Sequence, residues 1–153
     1  MLITPVLITA DARKIKNTFR IEKNSERNST AGKVKIEGRE LNSDNLPEDL
    51  KKCSFSGYDK EATSSRESFI VSNPSEKILT GFKVKINYLD MQGRMLHSRI
   101  VEESCIVPPG ESRRIDIKSW DTQHVFYYHL GNEPRRVATP FQVEFKPVSF
   151  FIE

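Results

Sequence analysis

Residues 119–136, SWDTQHVFYYHLGNEPRR, hold the densest set of chemically capable side chains in this sequence. Asp121, three residues before His124, has the makings of an orienting carboxylate and a general base. Ser119 or Ser112 would then be the hydroxyl that the base activates. No nucleophile-elbow glycine pattern surrounds either serine, and serines recur throughout the chain. The simpler reading makes Asp121 and Thr122 turn caps and His124 an ordinary polar side chain, so no catalytic residue is expected. A metal needs three or four convergent ligands. Of the histidines His97, His124 and His129, the last two stand five residues apart and would point to opposite faces of one strand. No metal or cofactor is expected.

Binding suits the same stretch better. Trp120, Tyr127, Arg135 and Arg136 combine flat amphipathic rings with forked donors, the chemistry of sugar platforms and protein interfaces. The competing assignment places Trp120, Phe126 and Tyr128 in the core and leaves Tyr127 and the arginines on the surface.

The elements that must carry these residues read as strands. In residues 82–90, Phe82, Val84, Ile86 and Tyr88 share one parity, and Lys83, Lys85 and Asn87 the other. That alternation is a strand with one buried and one wet face. Asp90-Met91-Gln92-Gly93 is a tight hairpin loop, with Gly93 free to take positive φ. The second arm, residues 95–101, has Ile100 and Val101 adjacent, a parity fault that predicts a bulge or break there. Asn73-Pro74-Ser75 and Pro109-Gly110 are turn signals. Ile115 and Ile117 alternate with charged residues, as do Val143 and Phe145 with polar ones, until Pro147 interrupts. Phe82, Val84, Ile86, Ile115, Ile117, Val143 and Phe145 are the expected core. Further strands are read at 54–57, 68–72, 125–130 and 141–152.

Short strands with turn chemistry about every ten residues, and no amphipathic helix, predict an all-β protein. The expected form is an antiparallel immunoglobulin-like β-sandwich of about seven or eight strands. Trp120 does not lie between Cys53 and Cys105, so the antibody pattern is absent. Those two cysteines lack zinc spacing; a disulfide and two buried thiols both remain open.

Residues 13–52 are polar and irregular, with weak strands at Phe19/Ile21 and Val34/Ile36 and a helical turn expected near Asn45–Leu50. The sandwich is expected over 53–153. Hydrophobic residues make up 37% of the chain, and residues 13–52 hold few of them. Lys and Arg outnumber Asp and Glu by 13 to 10 up to Arg66 and balance 11 to 11 thereafter. No basic stripe marks the folded region, which argues against nucleic acid as a partner. No apolar run approaches the roughly 20 residues of a membrane span. Residues 2–10 are apolar and end in Ala10-Asp11-Ala12, a small-x-small cleavage form followed at once by Arg13. Residues 1–12 therefore read as the remnant of an export signal, with an edge strand as the alternative, since Pro5 excludes a central strand. Asn28-Ser29-Thr30 matches the glycosylation pattern.

Val71-Ser72-Asn73, Ile86-Asn87-Tyr88-Leu89-Asp90, Gly93 and Pro109-Gly110-Glu111 together resemble the bacterial FxLYD-type domains, small immunoglobulin-like sandwiches of exported proteins. Tyr88-Leu89 inverts the family's Leu-Tyr order, and Ile86 stands where Phe would. Further runs (Phe55-Ser56-Gly57-Tyr58-Asp59-Lys60, Gly93-Arg94, Ser119-Trp120-Asp121 and Ala138-Thr139-Pro140-Phe141) look similar to uncharacterised exported bacterial proteins. The resemblance implies a periplasmic or extracellular location and no catalytic residues. The expectation is an exported, non-catalytic interaction or accessory module whose partner is an unknown protein or glycan of the cell envelope. A carbohydrate- or cell-wall-binding module is the alternative, and a hydrolase the weakest reading.

Overall fold

A computed structural model of the chain describes residues 35–153. The export-signal reading of residues 1–12, the hairpin arm at Phe19/Ile21 and the glycosylation pattern at Asn28 lie outside the described residues. Among the described residues the chain forms eight strands and two short 3-10 turns. In order they are β1 (Arg39–Asn42), the turns Ser43–Asn45 and Leu50–Lys52, β2 (Ser54–Asp59), β3 (Arg66–Asn73), β4 (Leu79–Leu89), β5 (Met95–Val107), β6 (Glu111–Lys118), β7 (Phe126–Tyr128) and β8 (Thr139–Ile152). The all-β, mainly antiparallel class is as expected. No helix in this region is long and apolar enough to cross a membrane.

Five strands form one sheet, in the order β1-β8-β4-β5, with β7 pairing parallel to the start of β8. The other three form a second sheet, β2-β3-β6. Both sheets turn their apolar parity to one shared core. Phe82, Val84, Ile86 and Tyr88 of β4 are fully buried, as are Phe69 and Val71 of β3; Ile115 and Ile117 of β6 are nearly so. Rings interlock across the gap: Phe55 of β2 lies 5.1 Å from Phe82 and 5.6 Å from Phe145 between centroids, and Phe69 lies 5.2 Å from Phe145. Val143 and Phe145 sit at the margin, half-buried against the cluster.

The turns follow their chemistry. Gly93 adopts φ 86° and donates its N–H to the Asp90 carbonyl at 3.0 Å, closing the β4–β5 hairpin. The Asn73 carboxamide accepts the Ser75 N–H at 3.1 Å and donates to the carbonyls of Lys77 and Val107. That side chain is buried and ties the β3–β4 turn to the end of β5.

Three expectations need correction. Ile100 and Val101 are in regular pairing, opposite Lys85 and Val84. Ile100 faces solvent at 55% exposure while Val101 turns inward, so the adjacent pair reflects an apolar residue on the wet face and no bulge. The register shifts of β5 fall instead at its ends, next to Leu79/Gly81 and Tyr88/Leu89 of β4. The helical turn expected near residues 45–50 is split into two 3-10 turns. The strand expected at 125–130 shortens to Phe126–Tyr128, and it pairs parallel. Residues 36–52 belong to the same compact unit as the strands that follow them. Arg39 through Asn42 pair with Ile152 through Ser149, and Leu50 is fully buried. Backbone pairing along β8 and a few leucines suffice to dock a segment that is poor in apolar residues.

Both cysteines are free thiols. Cys53 is buried, with its sulfur 3.5 Å from the Asn73 carboxamide oxygen, and burial pushes its thiol up to about 11.

Candidate functional site

The connection between β6 and β8 is organised from beneath by a buried ion pair. Lys60 follows β2 directly, and its side chain is fully enclosed; that of Asp121 is 3% exposed. Lys60 Nζ lies 3.1 Å from Asp121 Oδ2 and donates as well to the carbonyls of Phe126 at 2.9 Å and Glu61 at 3.0 Å. Asp121 Oδ2 accepts the backbone N–H groups of Val125 and Phe126, at 2.9 and 2.8 Å. Desolvation drives the Asp121 carboxyl upward, but the Phe126 amide, the Lys60 ammonium and the Val125 amide outweigh it, and its pKa lies below the ordinary value. Ser119 is buried, and its Oγ accepts the Asp121 N–H at 2.9 Å. A buried charge this well coordinated fixes the backbone around it.

A second buried carboxylate stands close by in sequence. Glu67 of β3 points into the core with its side chain sealed from solvent. Its Oε1 accepts the Tyr88 hydroxyl and lies 3.2 Å from Arg99 Nη2, while Oε2 accepts the backbone N–H of Trp120 at 2.9 Å. Arg99 closes the set: its Nε donates to the Tyr88 hydroxyl at 3.0 Å, and its Nη2 to the Lys118 carbonyl at 2.9 Å. Glu67 and Arg99 thus link the two sheets. Burial, and after it the Glu67 charge, raises the pKa of both Tyr58 and Tyr88.

Of the four residues expected to bind, the structure separates Trp120 from the rest. Its indole stacks on Tyr88, with centroids 4.9 Å apart, and meets Phe126 and Phe141 at 5.0 and 5.3 Å. His97 covers its outer face at 6.0 Å. Trp120 is therefore largely occupied with packing. Tyr127 is half-buried in β7, on the opposite parity from the core-packed Phe126 and Tyr128. Arg135 is exposed, and Arg136 donates to the carbonyls of His124 and Ala62.

Asp121 and His124 do not assemble as a base and its orienter. The oxygen Asp121 Oδ2 is taken by Lys60 and two amides, and His124 occupies a turn position at φ 58°, its N–H directed at the Asp121 carbonyl. Three large apolar side chains stand out on the same connection: Val125 at 40%, Leu130 at 74% and Val137 at 99% exposure. On the outer side of the three-stranded sheet lies a polar depression of about 230 Å³, bordered by Asp59, Ser64, Arg66, Ser68, Arg114 and Asp116. No group of His, Cys, Asp or Glu among the described residues could hold a metal ion.

Lys60, Glu67 and Arg99 belong to no chemical motif in the sequence. Parity carried a signal for two of them: Glu67 alternates with Phe69 and Val71, and Arg99 with Val101, so each is a charge on a buried face. Nothing local to Lys60 foretells its burial, because its partner is 61 residues away. Comparison of the chain with protein-family models, with curated proteins and with solved structures finds no match.

Proposed function

We propose that this chain is an exported, non-catalytic β-sandwich of the immunoglobulin-like class that serves as an interaction or accessory module in the cell envelope. Two mainly antiparallel sheets around one core support the sandwich, together with the Gly93 hairpin and the Pro109-Gly110 turn that resemble those of FxLYD-type domains. Export rests on the apolar run ending at Ala10-Asp11-Ala12.

The observation that carries the interaction reading is the exposure of Leu130 and Val137 on a connection whose base is pinned by Lys60 and Asp121. Apolar side chains held in water on a fixed backbone favour a protein partner. Arg135, exposed on the same connection, adds a forked donor, while Arg136 braces the connection through the carbonyls of His124 and Ala62. The carbohydrate alternative calls for a line of exposed rings; here Trp120, Phe126 and Tyr128 pack against the core, which favours protein over glycan.

A photoreactive residue at position 137 tests this, in the full chain expressed in its native host. The reading expects one reproducible protein adduct, lost when Leu130 is changed to Asp. Absence of any protein adduct, with retention on purified cell-wall polysaccharide, would favour the glycan reading instead.

A further inference from the structure

We infer that Lys60 and Asp121 condense into an intramolecular amide, an isopeptide cross-link between Lys60 Nζ and Asp121 Cγ. This inference is independent of the binding role proposed above. Amine and carboxyl are both enclosed, with side chains 0% and 3% exposed, and Nζ lies 3.1 Å from Oδ2. Proton transfer within the closed pair gives an amine and a carboxylic acid, the forms that condense; it is the minor form, because the contacts of Asp121 favour its charged state, and the condensation is correspondingly slow. In that neutral pair the amine is held against the carboxyl it must attack, its nitrogen 3.1 Å from Oδ2, so the encounter is already made. The reaction need occur only once per molecule, so fixed proximity can suffice without a separate general base.

The surroundings suit that step. The N–H groups of Val125 and Phe126 already converge on Asp121 Oδ2 at 2.9 and 2.8 Å. They are positioned to hold the oxyanion that forms as nitrogen adds to Cγ. Two of the three ammonium protons pass to the other carboxyl oxygen, which departs as water when the C–O bond breaks. The third stays on the new amide nitrogen, where the Phe126 carbonyl, 2.9 Å away, accepts it. Glu67 has no part in the proton transfers, being engaged by Tyr88, Arg99 and the Trp120 N–H. No oxidant or cofactor enters the balance. The bond would join the end of β2 to the connection after β6, tying together the two edge strands of the three-stranded sheet across β3.

Peptide mapping of the full chain, denatured and digested with trypsin, tests the inference. The expected product is a branched peptide joining the Lys60 and Asp121 segments, uncleaved after Lys60 and lighter than its two parts by one water. Lys60→Arg keeps the charge but replaces the amine with a poor nucleophile, and it should fold without forming the branched peptide. Cleavage after Lys60 in the wild-type chain, with both segments at their unmodified masses after prolonged incubation of the folded protein, would overturn the inference. That measurement needs no variant to fold.

Discussion

Arg99, on the edge strand of the five-stranded sheet, places its guanidinium 3.2 Å from the buried carboxylate of Glu67 in the opposite sheet. This contact joins a charge from each sheet at the margin of the core, with Glu67 sealed from solvent and Arg99 partly exposed. Removing only the cation leaves Glu67 enclosed and without its countercharge. Arg99→Met should therefore cost about 3 kcal/mol, the low end for breaking a buried pair, since Arg99 is partly exposed and Tyr88 still donates to Glu67. Urea denaturation measures it. The double variant Arg99→Met, Glu67→Gln should recover part of that loss, because no buried charge then remains.

The inward parity of β4 gives a paired comparison. Ile86 is fully buried and Ile100, on the neighbouring strand, is 55% exposed. Ile86→Ala should lose about 2–5 kcal/mol of stability. Ile100→Ala should stay within about 0.5 kcal/mol of wild type. Equal losses in chemical denaturation would mean that the register is misassigned.

Tyr58 and Tyr88 report on alkaline stability. Burial and the Glu67 charge raise both phenols above their ordinary value. A phenol raised in the fold favours the protonated state, so its contribution is intact below the unfolded value of about 10 and is lost as pH rises beyond it. Of the four tyrosines, these two should ionise only as the fold opens. Phenolate absorbance and circular dichroism should then change together. Phenolate formation at both sites in a chain with native dichroism would contradict the assignment.

The thiols should be inert. Burial, then Asp49, pushes Cys53 up to about 11; burial, then Glu103, pushes Cys105 up to about 12. At about pH 8.5, where a free thiol is half ionised, iodoacetamide should leave the native protein unlabelled and label both cysteines in denaturant. Mass spectrometry reads the result directly.

Period-2 alternation made the β4 face, the β6 face and the turns at Gly93 and Gly110 legible, since each depends on a few adjacent residues. The β1–β8 pairing was not, because residues 39–42 have little apolar character and dock through backbone bonds to a strand more than a hundred residues later. The parallel β7–β8 pair is hidden for a different reason: three aromatic residues carry no signal of direction, and the chain between Tyr128 and Thr139 sets the parallel register. Within the candidate site, Asp121 could be read as a turn former but not as half of a buried pair. Trp120 shows the limit most clearly: a ring suited by composition to a binding surface is stacked on Tyr88, a contact that exists only once the two sheets have closed.

The connection carrying Val125, Leu130 and Val137 is a fixed mount, pinned by Asp121 from below. The most direct test of this is hydrogen exchange at the amides of Val125 and Phe126, which donate to Asp121 Oδ2. Both should exchange as slowly as the amides in the middle of β4, although they lie outside or at the very start of a three-residue strand. Exchange at the rate of an open loop, with β4 still protected, would contradict it.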